Sequence, residues 1–268
     1  MSDAGGRLTY PSELVPPGDR LVHADLAEQA LEGLVRAPRY AYPHSAHAVM
    51  AYVDVQSEDG QHAGQLVFGE AFDVLFRRAG RAYGRARRDG MVGWVADNAI
   101  AAGAPLARYR VSSRHVNLPF NALVQGDEGV APEHLAAIGT FDEDIAAVAE
   151  GFIDVPVQAG KRASDAVDAI SLVQQALFAC GHAAPRRADE LARTGHAVAP
   201  RDPARGDVVV WVSSVDPTRG HAGIMTDDRM LIHACSTTGV VTCEALADLA
   251  AGLSGENFEA PVIRRFGI

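Results

Sequence analysis

The chain predicts an α+β protein preceded by a small β-barrel, and three observations carry that expectation. Between about Ala48 and Ile100, short β-type runs follow one another with turn residues between them. After residue 141, two helix-like segments come first. Four strand-like runs then lead to Glu244. Closely spaced short strands suit a small barrel, and helices followed by an antiparallel meander suit an α+β domain. The length of 268 residues suggests roughly two domains of ordinary size.

Composition removes several classes. An apolar share of 48% with 22% charged residues is globular rather than disordered or collagen-like. A net charge of -10 argues against nucleic acid and against a polybasic lipid anchor, because both need a basic face. No apolar run approaches the roughly 20 residues of a membrane span. The start, Met1 to Arg7, lacks the basic stretch and apolar core of a secretory signal, so the expected compartment is the cytoplasm. Cys180, Cys235 and Cys243 form neither a disulfide framework nor a CxxC pair. The ten histidines include no HExxH and no i, i+4 ligand pair, so no metal is expected. No glycine pattern for a nucleotide occurs, so no cofactor is expected either. Arg77, Arg78, Arg85, Arg87 and Arg88 read as a solvated barrel edge.

Residues 1–40 form the first segment. Pro11, Pro16, Pro17 and Gly18 predict an extended lead-in, and residues 25–32, apolar at 26, 27, 30 and 31, predict a short helix. The barrel is expected over 41–103, from strands at 49–53, 65–68, 72–76, 82–86 and 91–95. Asp89-Gly90 between the last two is a strong hairpin signal. Residues 104–140 are weaker and read as a truncated second barrel or a linker with two strands, since some 30 residues cannot bury a barrel core. Residues 141–268 form the α+β domain. Its first helix, 141–152, has an acidic first turn, and its second, 169–181, is apolar almost all round and ends at Gly181. Strands follow at 206–211, 221–225, 229–234 and 239–244.

The run Gln65-Leu66-Val67-Phe68-Gly69-Glu70, with Asp89-Gly90-Met91-Val92-Gly93-Trp94-Val95, resembles a bacterial SH3 domain. Gly93 lets the backbone bend there, and Trp94 fills the barrel mouth. Gly129-Val130-Ala131-Pro132-Glu133-His134-Leu135 resembles the close of a second such unit. Downstream, Gly206-Asp207-Val208-Val209-Val210-Trp211 is similar to "GDLVFW". His221-Ala222-Gly223-Ile224 with Met230-Leu231-Ile232-His233-Ala234 is similar to "HVGIY…RMIHA". These resemble the NlpC-type cysteine peptidases, papain-like enzymes that cut bacterial cell-wall peptides, in which SH3-type segments precede the catalytic domain.

That resemblance implies a cysteine thiolate at a helix N-terminus, a histidine base and a polar residue that orients it. His221 and His233 stand where base and orienter belong, and Asp168, Gly160 and Trp211 are the implied binding positions. The nucleophile is missing. Against the family's "GiDCSGLVQ" this chain has Val167-Asp168-Ala169-Ile170-Ser171-Leu172-Val173-Gln174, which puts Ala169 at the cysteine. Ser171 lies about 200° further around a helix, and Cys180 about 16 Å along it. Cys235 follows His233 closely and is read as turned to the other face of its strand. A designed inactivation would change one residue, yet Val157 and Ala159 replace the aromatic "PYlWGG" residues, Ile170 replaces a serine, and Pro185-Arg186-Arg187-Ala188-Asp189-Glu190 departs from "PRDSDQQ".

The resemblance therefore implies a relative of murein stem-peptide endopeptidases, which cleave the γ-D-glutamyl to diamino-acid bond. The leading expectation is a catalytically silent protein whose cleft binds a murein-derived peptide or a protein partner. An active hydrolase with a substituted nucleophile and a structural module with a closed cleft are the alternatives. An open pocket between barrel and catalytic-like domain, with His221 exposed in it, would favour either of the first two over the third.

Overall fold

The computed structural model describes residues 20–267, so the proline-rich lead-in expected at 11–18 lies outside the described residues. The first described strands are β1 (Val22–His23), β2 (Leu26–Glu28) and β3 (Arg39–Ala41), in one sheet of order β1-β2-β3. The expected helix at 25–32 is thus strand β2 followed by a single 3-10 turn, Gln29–Leu31. Tertiary contacts override the helical spacing. Leu21 and Leu26 pack on Leu75, Tyr83 and Trp94, and the Glu28 carboxylate accepts two bonds from the Arg85 guanidinium at 2.8 and 3.1 Å.

Seven strands follow: β4 (His44–Ala48), β5 (Tyr52–Gln56), β6 (His62–Val67), β7 (Ala71–Arg78), β8 (Arg81–Ala86), β9 (Val92–Ala96) and β10 (Ile100–Ala102). They pair antiparallel in the order β10-β4-β7-β8-β9-β5-β6. The strand expected at 49–53 is displaced: Val49 and Met50 are exposed in the bend between β4 and β5. The Asp89-Gly90 hairpin joins β8 to β9, pairing Arg85 with Val92. At Gly93 a Cβ would come within 2.6 Å of the Gln56 carbonyl oxygen, so only glycine lets β9 approach β5 this closely. Trp94 is buried among Phe76, Tyr83 and His23, and its indole N–H donates to Glu58 at 2.6 Å.

Residues 104–140 contain β11 (Tyr109–Val111), β12 (Leu123–Val124) and β13 (Leu135–Ala137), in a sheet of order β12-β11-β13. Val111, Ala122, Val124 and Val130 share a small core with Val67 of β6. Asn121 ties this segment to the next domain, donating to the Gln175 carbonyl at 2.9 Å.

The C-terminal domain has α1 (Ile145–Glu150), α2 (Ala169–Ala179), α3 (Ala188–Leu191), β14 (His196–Val198), β15 (Val208–Val212), β16 (Gly220–Met225), β17 (Met230–Cys235), β18 (Val240–Ala245), α4 (Leu246–Leu253) and β19 (Val262–Arg265). Its sheet has the order β14-β19-β15-β16-β17-β18. The expected meander is present as β15 to β18, and the short strands β19 and β14 extend it, β14 forming the edge. Helix α2 buries Leu172, Val173, Ala176 and Leu177 against one sheet face, alongside Val210, Ala222, Ile224 and Ile232. No helix among the described residues is long and apolar enough to cross a membrane.

Buried charges join the two halves. The Arg162 guanidinium donates to Glu70 Oε1 at 2.9 Å and also to Oε2, and to the Gln65 carbonyl at 2.9 Å. Arg88 donates to the same Glu70 oxygen at 2.9 Å. Burial works against the Glu70 charge, but the two guanidinium groups outweigh it and hold the carboxyl below the usual range. The arginine-rich run is thus a solvated edge at Arg77, Arg78 and Arg87, but not at Arg85 and Arg88. Arg88 is buried on Glu70, while Arg77, Arg85 and Arg87 each hold a carboxylate of Asp97, Glu28 and Asp73. Arg78 stands over the Trp94 ring at 5.2 Å.

Candidate active-site cleft

The first turn of α2 is fixed by Asp168. Its Oδ1 accepts from the Ser171 N–H at 2.8 Å, and Ser171 Oγ accepts from the Asp168 N–H at 2.8 Å, a reciprocal capping box. The other oxygen, Oδ2, accepts from the Gly160 N–H at 2.8 Å. Arg186 grips both oxygens, with Nη1 2.9 Å from Oδ1. Burial pushes this carboxyl up, but the Arg186 charge and these bonds leave it below its ordinary value. Asp168 is thus an ionised cap whose oxygens are consumed by structure. Ala169 follows it as the first residue of the helix.

Gly160 supports the same turn. Its φ is +78°, and a Cβ there would lie 1.9 Å from His62 Nδ1. No other residue fits a left-handed backbone pressed against that ring. His62 belongs to β6 and is held by Asp54, 2.9 Å from its Nε2.

Strands β16 and β17 bring His221 and His233 together. Gly223 pairs with His233, and His221 stands two residues before Gly223 on the same face. Their rings are 5.1 Å apart, with His221 Nε2 2.9 Å from His233 Nδ1. Burial pushes His221 down to about 4, helped by His233 and only partly opposed by Asp168. His233, 1% exposed, is also lowered by burial, against the pull of Glu244. Glu244 on β18 places Oε1 3.1 Å from His233 Nε2.

A cleft of about 860 Å³ opens between the two halves. Ala169, Asp168, Gly160 and His221 line it from the C-terminal domain, and His62, Tyr83 and Met91 from the β-rich side. His221 is half-buried at its wall. Trp211 departs from its expected binding role. It is 2% exposed in an apolar cluster with Val209, Met225 and Leu231, its ring 5.9 Å from that of His221, and so backs the histidine rather than facing the cleft.

Among the described residues no replacement nucleophile stands beside the pair. Ser171 is 1% exposed and its hydroxyl donates to the Lys161 carbonyl. Cys180 closes the far end of α2, where burial and then Asp142 push its thiol up to about 11. Cys235, two residues after His233 in β17, shares the face of His233 rather than the opposite one and is buried, while Cys243 is exposed on β18. Ser236 does line the cleft, but among the described residues no base touches its hydroxyl. No group of three or more metal-ligating side chains is found among the described residues.

Arg186 and Glu244 are absent from the sequence-derived site. The first stands in an eroded motif. The second becomes a site residue only through the β17–β18 register, which pairs His233 with Thr242 and sets Glu244 on the same face.

Residues 156–250 match the NlpC/P60 family, and residues 55–100 match the bacterial dipeptidyl-peptidase Sh3 domain. The chain carries an NlpC/P60 domain behind a bacterial SH3 domain. The crystal structure of an NlpC/P60 family protein from Bacillus cereus is similar with a TM-score of 0.65 and 12% identity, covering 83% of this chain and 99% of that one. This likeness shows the fold. NlpC1 and NlpC2 from Trichomonas vaginalis give TM-scores of 0.46 and 0.45 at 16% and 15% identity, each covering 85% of this chain and 94% and 98% of theirs. No curated protein matches the sequence.

Proposed function

We propose that this NlpC/P60 chain binds a murein-type stem peptide in its cleft without cleaving it. One observation carries the reading: the first residue of α2, where the resemblance puts the nucleophile, is Ala169, in an open cleft that keeps His221 at its wall with His233 behind it. Cysteine-peptidase chemistry needs a thiolate to attack the carbonyl and hold the acyl group, and a methyl group does neither. Asp168, Ser171, Arg186 and Gly160 maintain the cleft wall without any catalytic group, which supports a retained binding role.

The test is calorimetry and mass spectrometry with L-Ala-γ-D-Glu-diaminopimelate and the purified chain. The expected outcome is saturable binding with the peptide intact. Turnover comparable to that of an intact family member, abolished by His221→Ala, would replace this reading with that of a hydrolase using a substituted nucleophile.

A further inference from the structure

The histidine pair could carry its protons in either of two arrangements, and Glu244 decides between them. Two bare acceptors 3.1 Å apart repel, so the carboxylate oxygen beside His233 Nε2 requires a proton on that nitrogen. Nε2 has no aligned hydrogen-bond partner, so the charge of Glu244 rather than a directed bond draws the proton there. Burial keeps the His233 ring neutral, which leaves its Nδ1 bare. His221 Nε2, 2.9 Å away, must then be the donor. A neutral His221 has one ring proton, now placed on Nε2, and its Nδ1 is bare. Among the described residues that Nδ1 has no hydrogen-bond partner, and His221 lines the cleft together with Ala169.

We propose that Glu244 is a positioning residue that sets the tautomer of His221 through His233, so that the cleft presents a bare imidazole nitrogen to an N–H group of a bound peptide. The peptide half rests on the function proposed above. A bare ring nitrogen repels carboxylate or phosphate oxygens and accepts from an amide or ammonium, while the Ala169 methyl contributes no polar group. The occupant at this point is therefore a hydrogen-bond donor, which a bound peptide supplies as an N–H. Glu244 is about one-third exposed, with a side-chain accessibility of 35%, so it can be exchanged without opening the core.

The experiment is long-range 1H–15N NMR on the full-length chain labelled at histidine, at pH 7.5. Both His221 and His233 are expected as Nε2–H tautomers. Glu244→Leu, with its backbone amide spectrum otherwise unchanged, is expected to move a measurable fraction of both rings to Nδ1–H. Nδ1–H at His221 in the unmodified protein, or identical tautomers in both proteins, would overturn the positioning role. Calorimetry with L-Ala-γ-D-Glu-diaminopimelate forms the second arm, in which Glu244→Leu is expected to bind more weakly by the reciprocal of the fraction of His221 still in the Nε2–H form, about twofold for an even mixture. Equal affinities would overturn the ligand half. No binding to the unmodified chain, with the tautomers as stated, removes the proposed function and the ligand half but leaves the positioning role. Wrong tautomers with intact binding remove the positioning role alone.

Discussion

Replacing Arg162 by methionine removes the buried charge that joins the two halves. The guanidinium donates to both Glu70 oxygens and twice to the Gln65 carbonyl, and its side chain is 3% exposed against 1% for Glu70. Removing one partner of a buried ion pair typically costs about 3–5 kcal/mol, mostly from the charge left behind. Glu70 would keep Arg88 at 2.9 Å and the Val67 N–H at 3.0 Å, so the lower end applies, about 3 kcal/mol. In a protein of this size that is a fall in Tm of about 10 °C.

The pH dependence supplies a second readout. In the unmodified chain the Glu70 carboxyl sits below its ordinary value, so its stabilising contribution is present at neutral pH and lost as pH falls through the folded pKa. Without Arg162, burial gains ground and the Glu70 carboxyl moves up. The deficit of Arg162→Met should therefore narrow towards acid pH. Urea unfolding followed by tryptophan fluorescence at pH 7.5 and pH 5 measures both. A loss below about 1 kcal/mol, or a deficit that widens in acid, would refute the argument that a charge shared across the halves holds them together.

Three further outcomes are expected. His221 should titrate near 4 by NMR; because its folded pKa is lowered, stability falls as pH drops from the unfolded value near 6.5 towards 4, by up to about 3 kcal/mol, and His221→Phe should flatten that part of the acid profile. Gly160→Ala should cost at least about 2 kcal/mol in thermal unfolding, since φ of +78° and the His62 ring both oppose a Cβ, and an unchanged Tm would show that this turn relaxes freely. Ala169→Cys alone should not restore normal hydrolysis of L-Ala-γ-D-Glu-diaminopimelate, because Val157, Ala159 and Ile170 also line that end of the cleft; robust turnover would show that the cleft is otherwise intact.

Local chemistry made much of the C-terminal domain legible. Asp168 before an apolar run, Ser171 three residues on and Gly181 at the end define α2 from sequence alone, and the β15–β17 runs are buried enough to read as strands. Elements whose reasons lie far along the chain were illegible. Residues 26–28 have helical spacing, but Arg85, 57 positions away from Glu28, makes them a strand edge. Arg88 reads as surface until it meets Arg162 on the Glu70 carboxylate, from which the two arginines are 18 and 92 residues away. Val262–Arg265 is short and ends in charge, so only its pairing with β15 and β14 identifies it as a strand. Trp211 stood in a family motif, but alternation along β15 put it in the core on the side away from α2.

On the function proposed above, an alanine where a thiol would stand changes the electrostatics of the cleft more than its shape. In a cysteine peptidase the thiolate and the imidazolium stabilise each other, and the helix N-terminus favours the anion. Here that anion has no atom to sit on. In the first turn of α2 the Ser171 N–H is met by the Asp168 carboxylate, whose charge is already balanced by Arg186. His221 then has burial and a second histidine against its charge, with Asp168 as a weak counterweight, and the neutral form wins. Glu70 and Asp168, by contrast, keep their charges because each is locked to arginine in holding the domains or the helix start. What is left facing the cleft at α2 is a methyl group and a neutral ring. Such a surface can select a hydrogen-bond donor by geometry and offers no nucleophile at Ala169, which is how the proposed function keeps recognition without a covalent step.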